Sequence, residues 1–99
     1  MTFVTTQPDV LAAAADQLAG VGSELTAQNA AAMAPATAVA PAAADEVSAL
    51  TAAQFASHAA MYQAVSAHAA AVHDLFVSAL GASADSYDAT EAANATSAI

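Results

Sequence analysis

The sequence predicts an all-α fold, two long antiparallel helices forming a hairpin, and three observations carry that prediction. Hydrophobic residues make up 59% of the chain, and more than half of them are Ala, the strongest helix former. Apolar residues recur at helical spacing through two long segments. Only one strong break separates these segments, "APATAVAP" at residues 34–41, where Pro35 and Pro41 bracket small residues. A connection this short makes the two helices antiparallel neighbours. At 99 residues the chain is a single domain.

Residues 1–6 form a short extended lead, in which Phe3 and Val4 are expected to cover the end of the bundle. Thr6, with Asp9 three residues on, resembles a capping box. Pro8 suits a first helical turn, where its missing N–H is not needed. The first helix is predicted over about 8–36. Its stripe is heptad-like, with Leu11, Leu18 and Leu25 at spacing seven and Ala14, Ala15 and Val21 between them. Gly20 and Gly22 weaken it locally but permit close helix approach. Pro35 ends or kinks this helix, and residues 37–41 form the turn. Pro41 fits the first turn of a second helix over about 42–81, with Asp45 and Glu46 behind it where the macrodipole favours acids. The helices would be about 43 and 60 Å long. Residues 82–99 hold too little apolar content for a core and are expected to be a flexible tail.

The second helix has more apolar surface than one neighbour can cover. One row holds Val47, Phe55, Tyr62, Val65, Val72, Phe76 and Leu80, and an adjacent row holds Leu50, Met61, His68 and Leu75. Between Val47 and Ala84 the only formal charge is Asp74. Each large side chain left in water forgoes about 1.5–3 kcal/mol, so several together rival the stability of a small domain. A two-helix hairpin also encloses no core. The chain is therefore expected to fold fully only with a partner chain whose contact face is apolar and whose further helices complete a bundle. Leu11, Leu18, Leu25, Phe55, Met61, Val65, Val72 and Phe76 are the expected interface residues. The sequence leaves open which row faces the sister helix.

Composition excludes several functions. The chain has no Lys or Arg against nine Asp plus Glu, so it lacks the cations that nucleic acid or an anionic membrane surface requires. It has no Cys, hence no disulfide or thiolate chemistry. "MTFVTTQPDVL" has neither a basic n-region nor an apolar h-region, so it does not read as a Sec-type signal peptide. The uncharged stretches are mostly Ala, Ser, Thr and Gln, and no transmembrane segment is expected. His58, His68 and His73 are not at the i, i+4 spacing that aims two metal ligands from one helix face. "GVGSELT" at 20–26 is neither a nucleophile elbow nor a phosphate loop. No enzyme activity, metal or cofactor is expected.

Three stretches together resemble the PE family of mycobacteria. "MTFVTTQPDVLAAAADQL" is similar to its N-terminal pattern, with Asp9 in place of the name-giving Glu after Pro8. "VAPAAADEVSALTAAQFASHAAMYQAV" resembles its turn and second helix, and "SYDATEAAN" its C-terminal signal. The resemblance implies an obligate heterodimer with a PPE-family protein. It also implies that an EspG-type chaperone grips the PPE partner in the cytoplasm and that a type VII secretion system exports the pair to the cell surface or medium. The secretion signal, Tyr followed four residues on by an acid, falls on Tyr87 and Glu91. The sequence thus predicts a non-enzymatic export partner. The alternative is a self-associating Ala-rich bundle or a surface-adsorbing helical protein.

Overall fold

The computed structural model describes residues 4–99. Two helices account for most of them: α1 spans Pro8–Thr37 and α2 spans Glu46–Ser97. The all-α hairpin matches the sequence prediction.

The helix ends follow from local chemistry. At the start of α1 the Gln7 carbonyl accepts from the Val10 and Leu11 N–H groups, at 3.1 and 3.2 Å, with Pro8 as first helical residue. Gln7 therefore caps the helix, and the Thr6–Asp9 capping box does not form. The helix passes through Pro35 to Thr37, whose Oγ1 donates to the Met33 carbonyl at 2.7 Å. Pro35 leaves only two helical residues after it, so the hydrogen bond it lacks and the crowding of its ring against the preceding turn fall where the helix ends.

The start of α2 differs from the prediction: it begins at Glu46, not near 42. Asp45 supplies the reason. Its Oδ1 accepts from the Ser48 N–H at 2.6 Å, a side-chain cap that Pro41 cannot offer. Hydrogen bonds from the Ser48 backbone and hydroxyl, and then from the Val47 backbone, hold the Asp45 carboxyl below its ordinary pKa.

The far end of α2 differs more. The helix passes Gly81 and runs to Ser97, so the stretch expected as a flexible tail over 82–99 is helical almost throughout. No glycine in the described residues has positive φ, and Gly81 does not act as a C-terminal stop. The hydroxyls of Ser83, Thr90, Thr96 and Ser97 donate to carbonyls four residues back, at 2.9–3.0 Å. These polar side chains are thereby satisfied on the helix itself.

Two compact units make up the chain. The first pairs the lead and α1 up to Gly22 with His73–Ile99. There Leu18 meets His73 and Thr6 meets Glu91, so the helices run antiparallel. The second unit is Ser23–Val72 and contains the connection between the helices. In it Gln63 Nε2 donates to the Asn29 carbonyl at 3.0 Å and the Tyr62 hydroxyl to Asn29 Oδ1 at 3.1 Å.

In the second unit the seam is made of small and polar residues, and in the first it also takes Leu11, Leu18, Val77 and Leu80. Among the described residues the buried ones are all Ala: Ala15 and Ala84 in the first unit, Ala52 and Ala59 in the second. Around them Ala56, Gln63, Ser66, Ala70, His73, Val77 and Leu80 are half-buried. Along α2 these positions alternate steps of three and four, the heptad pattern of knobs-into-holes packing. Gly22 shows how tight the contact is. A Cβ built there would lie 2.7 Å from His73 Cδ2 and 2.9 Å from Nε2.

Candidate functional site

Most of the large apolar side chains of α2 lie off the seam. Phe55, Tyr62 and Phe76 share one heptad row of α2, Met61 and Leu75 the next, and Val65 and Val72 fall between them. Their exposures run from 51% at Tyr62 to 71% at Leu75. The rows form a stripe that starts beside the seam, since Phe55 lies three residues from Ala52 and four from Ala59, and reaches the opposite side of α2 at Met61 and Leu75, about half a turn away. Leu11 and Leu18 behave otherwise: both are half-buried at the seam of the first unit. Leu25, grouped with them by spacing, is exposed, and the seam track passes through Gly22 and Asn29 instead. Among the residues expected at an interface, then, Leu11 and Leu18 serve the hairpin. Leu25, Phe55, Met61, Val65, Val72 and Phe76 remain open to solvent. Of the expected Phe3–Val4 anchor, Phe3 lies outside the described residues and Val4 is exposed.

In the second unit, where the connection meets α2, Val39, Ala40, Ala42, Val47, Thr51 and Phe55 line a shallow apolar cleft of about 230 Å³. It lies open beside the exposed Val47 and Phe55.

Tyr87 and Glu91 sit one turn apart on the last part of α2, on a formed helix. They occupy the positions that continue the seam's three-four alternation beyond Ala84. Tyr87 is about half exposed. Glu91 is half-buried, and its Oε1 accepts two hydrogen bonds from Thr6, from the backbone N–H at 2.9 Å and from Oγ1 at 3.0 Å. The sequence gives no hint of this contact, since the partners are 85 residues apart and neither belongs to a local motif that names the other.

The histidines have separate surroundings. His58 and His68 are exposed. His73 is half-buried with Nε2 2.6 Å from the Leu18 carbonyl, so Nε2 carries the proton and donates. No group of three potential metal ligands occurs among the described residues. By length and composition alone α2 contains a stretch apolar enough to cross a membrane. Ala and Val supply much of its mean hydropathy. Gln63 and His73 of the same helix hydrogen-bond to α1, which ties it into the hairpin.

Comparison with known proteins fits this arrangement. Residues 4–94 match the PE family. The chain is 64% identical over 98 residues to PE family protein PE13 of Mycobacterium tuberculosis, a match that covers 99% of each protein. It is 55% identical over 98 residues to PE8 of the same species, covering 99% of this chain and 36% of PE8. To the PE-PGRS family protein PE_PGRS33 it is 58% identical over 95 residues, covering 96% of this chain and 20% of the relative. Most of those two longer proteins lies outside the match. With the family pattern running through both helices and the C-terminal Tyr–Glu pair, the chain belongs to the mycobacterial PE family.

Proposed function

We propose that this chain is a non-enzymatic subunit that pairs with a PPE-family protein and carries the type VII secretion signal for the pair. The observation that carries the reading is the exposed stripe of Phe55, Met61, Tyr62, Val65, Val72, Leu75 and Phe76. Among the described residues only Ala is fully buried, which leaves little to hold the chain together by itself, and the stripe is the missing half of a core. A PPE protein supplies the two further helices of a four-helix bundle. An EspG-type chaperone acts through that partner while the complex is in the cytoplasm, and the pair then reaches the cell surface or medium. Tyr87 and Glu91, held one turn apart on α2, form the signal that the secretion machinery reads.

The test is expression alone and with candidate PPE proteins, followed by gel filtration and circular dichroism. A loose or aggregated chain that becomes a 1:1 complex with a sharp melt supports obligate pairing. A cooperatively melting species formed by this chain alone would sink it. In the intact complex, Tyr87→Ala should abolish export while leaving assembly unchanged. Export that survives this change removes the signal.

A further inference from the structure

We propose that Thr6 is a positioning residue for the export signal, so that the epitope is a folded junction of the N-terminal lead with Tyr87 and Glu91. The inference rests on the export reading above and adds a residue to it.

The geometry is specific. Thr6 gives two donors, its backbone N–H and its hydroxyl, and both land on one carboxylate oxygen, Glu91 Oε1, at 2.9 and 3.0 Å. Oε2 makes no hydrogen bond among the described residues. The contact fixes the carboxylate's direction and leaves its second oxygen available to a reader. The chain contains no Lys or Arg to pair with this group. Among the described residues the donors that reach it are the two neutral ones of Thr6.

Electrostatics favours the same placement. Thr6 lies two residues ahead of Pro8, the first residue of α1, where the positive end of the helix dipole attracts an anion. Glu91 therefore faces the lead for a physical reason independent of the signal. The lead in turn pins α2 one turn past Tyr87. A signal that needs Tyr87 and Glu91 at a fixed separation and direction gains both from this clamp, since a free carboxylate at a helix end samples several rotamers.

The test uses the PPE complex and three variants. Thr6→Val keeps the size and the backbone bond but removes the hydroxyl donor, Thr6→Ser keeps both donors, and Tyr87→Ala reports on the signal itself. The readouts are the ratio of complex in culture filtrate to cells, gel filtration and melting of the purified complex, and hydrogen exchange over residues 84–97. Thr6→Val should lower the exported ratio about tenfold, the order expected for one lost hydrogen bond to a charged group. It should speed exchange over 84–97 with assembly and melting unchanged, and Thr6→Ser should restore export. Wild-type export of Thr6→Val while Tyr87→Ala is retained overturns the role of Thr6 alone. Failure of Thr6→Ser to restore export overturns the hydrogen-bond account. Dissociation of the Thr6→Val complex makes the contact structural and overturns positioning. Export of both Thr6→Val and Tyr87→Ala overturns the signal on which the proposal rests.

Discussion

At the scale of single residues, two glycines two positions apart in α1 have opposite surroundings. Nothing lies within 4 Å of a Cβ built on Gly20. Gly20→Ala therefore gains helix propensity without a clash and should stabilise the complex by about 0.5–1 kcal/mol. Gly22 faces the His73 ring, where the same methyl would meet Cδ2 at 2.7 Å. The ring cannot give way freely, because Nε2 is bonded to the Leu18 carbonyl at 2.6 Å. Losing that bond costs about 0.5–1.5 kcal/mol and repacking the contact costs about 1–3 kcal/mol, which together outweigh the propensity gain. Thermal melts of the two variants in the PPE complex should shift in opposite directions, Gly20→Ala upward and Gly22→Ala downward. Equal upward shifts would mean that the seam loosens easily at His73. Only half of this was legible in sequence. Two Gly residues inside a helix signalled close approach, but which one makes the approach depends on the residue across the seam.

At the scale of elements, the start of α2 is set by Asp45, and its ionisation makes that start pH-dependent. The Ser48 N–H bond favours the carboxylate, so the folded chain holds this group's pKa below its ordinary value. Its stabilising contribution is complete above the unfolded pKa and is lost as pH falls through the lower, folded value. Asp45→Asn keeps a capping oxygen but cannot titrate. A circular dichroism titration into the acid range should therefore show less helix loss for Asp45→Asn than for the wild type. Curves that superimpose would mean that Asp45 ionisation does not set this end. Acids near this end were readable as dipole partners. The choice of Asp45 over Pro41 as the start was not, because both are good signals and only hydrogen-bond geometry ranks them. The other end of α2 was misread for a related reason. Residues 82–99 hold too little apolar content for a core, yet the hydroxyls of Ser83, Thr90 and Thr96 bond back along the helix and Glu91 is tied to Thr6.

At the scale of the molecule, the governing fact is a division of labour between small and large apolar residues. Reasoning from buried area favours the large side chains of α2 as core, and in the chain by itself they are the exposed set. Small residues let two backbones approach closely, so the hairpin closes on Ala15, Ala52, Ala59 and Ala84 and leaves Phe55 and Phe76 for something else. A single sequence shows that α2 has two apolar faces. It cannot rank them, because the ranking depends on what α1 presents in return. Charge narrows what can cover the open face. With nine acids and no Lys or Arg, two copies of this chain repel one another, whereas a different chain with an apolar face need not. The stripe should then dominate pairing. Phe55→Ser and Phe76→Ser each remove an aromatic side chain whose burial is worth about 1.5–3 kcal/mol, a factor of about ten to more than a hundred in affinity. Binding of the double variant to the PPE partner, followed by titration calorimetry or by pull-down across a dilution series, should weaken by at least about a hundredfold. Helicity of the isolated chain should stay as it was, since neither residue is part of the seam. Wild-type affinity in the double variant would place the partner on another face, and the exposed stripe would then need a different occupant.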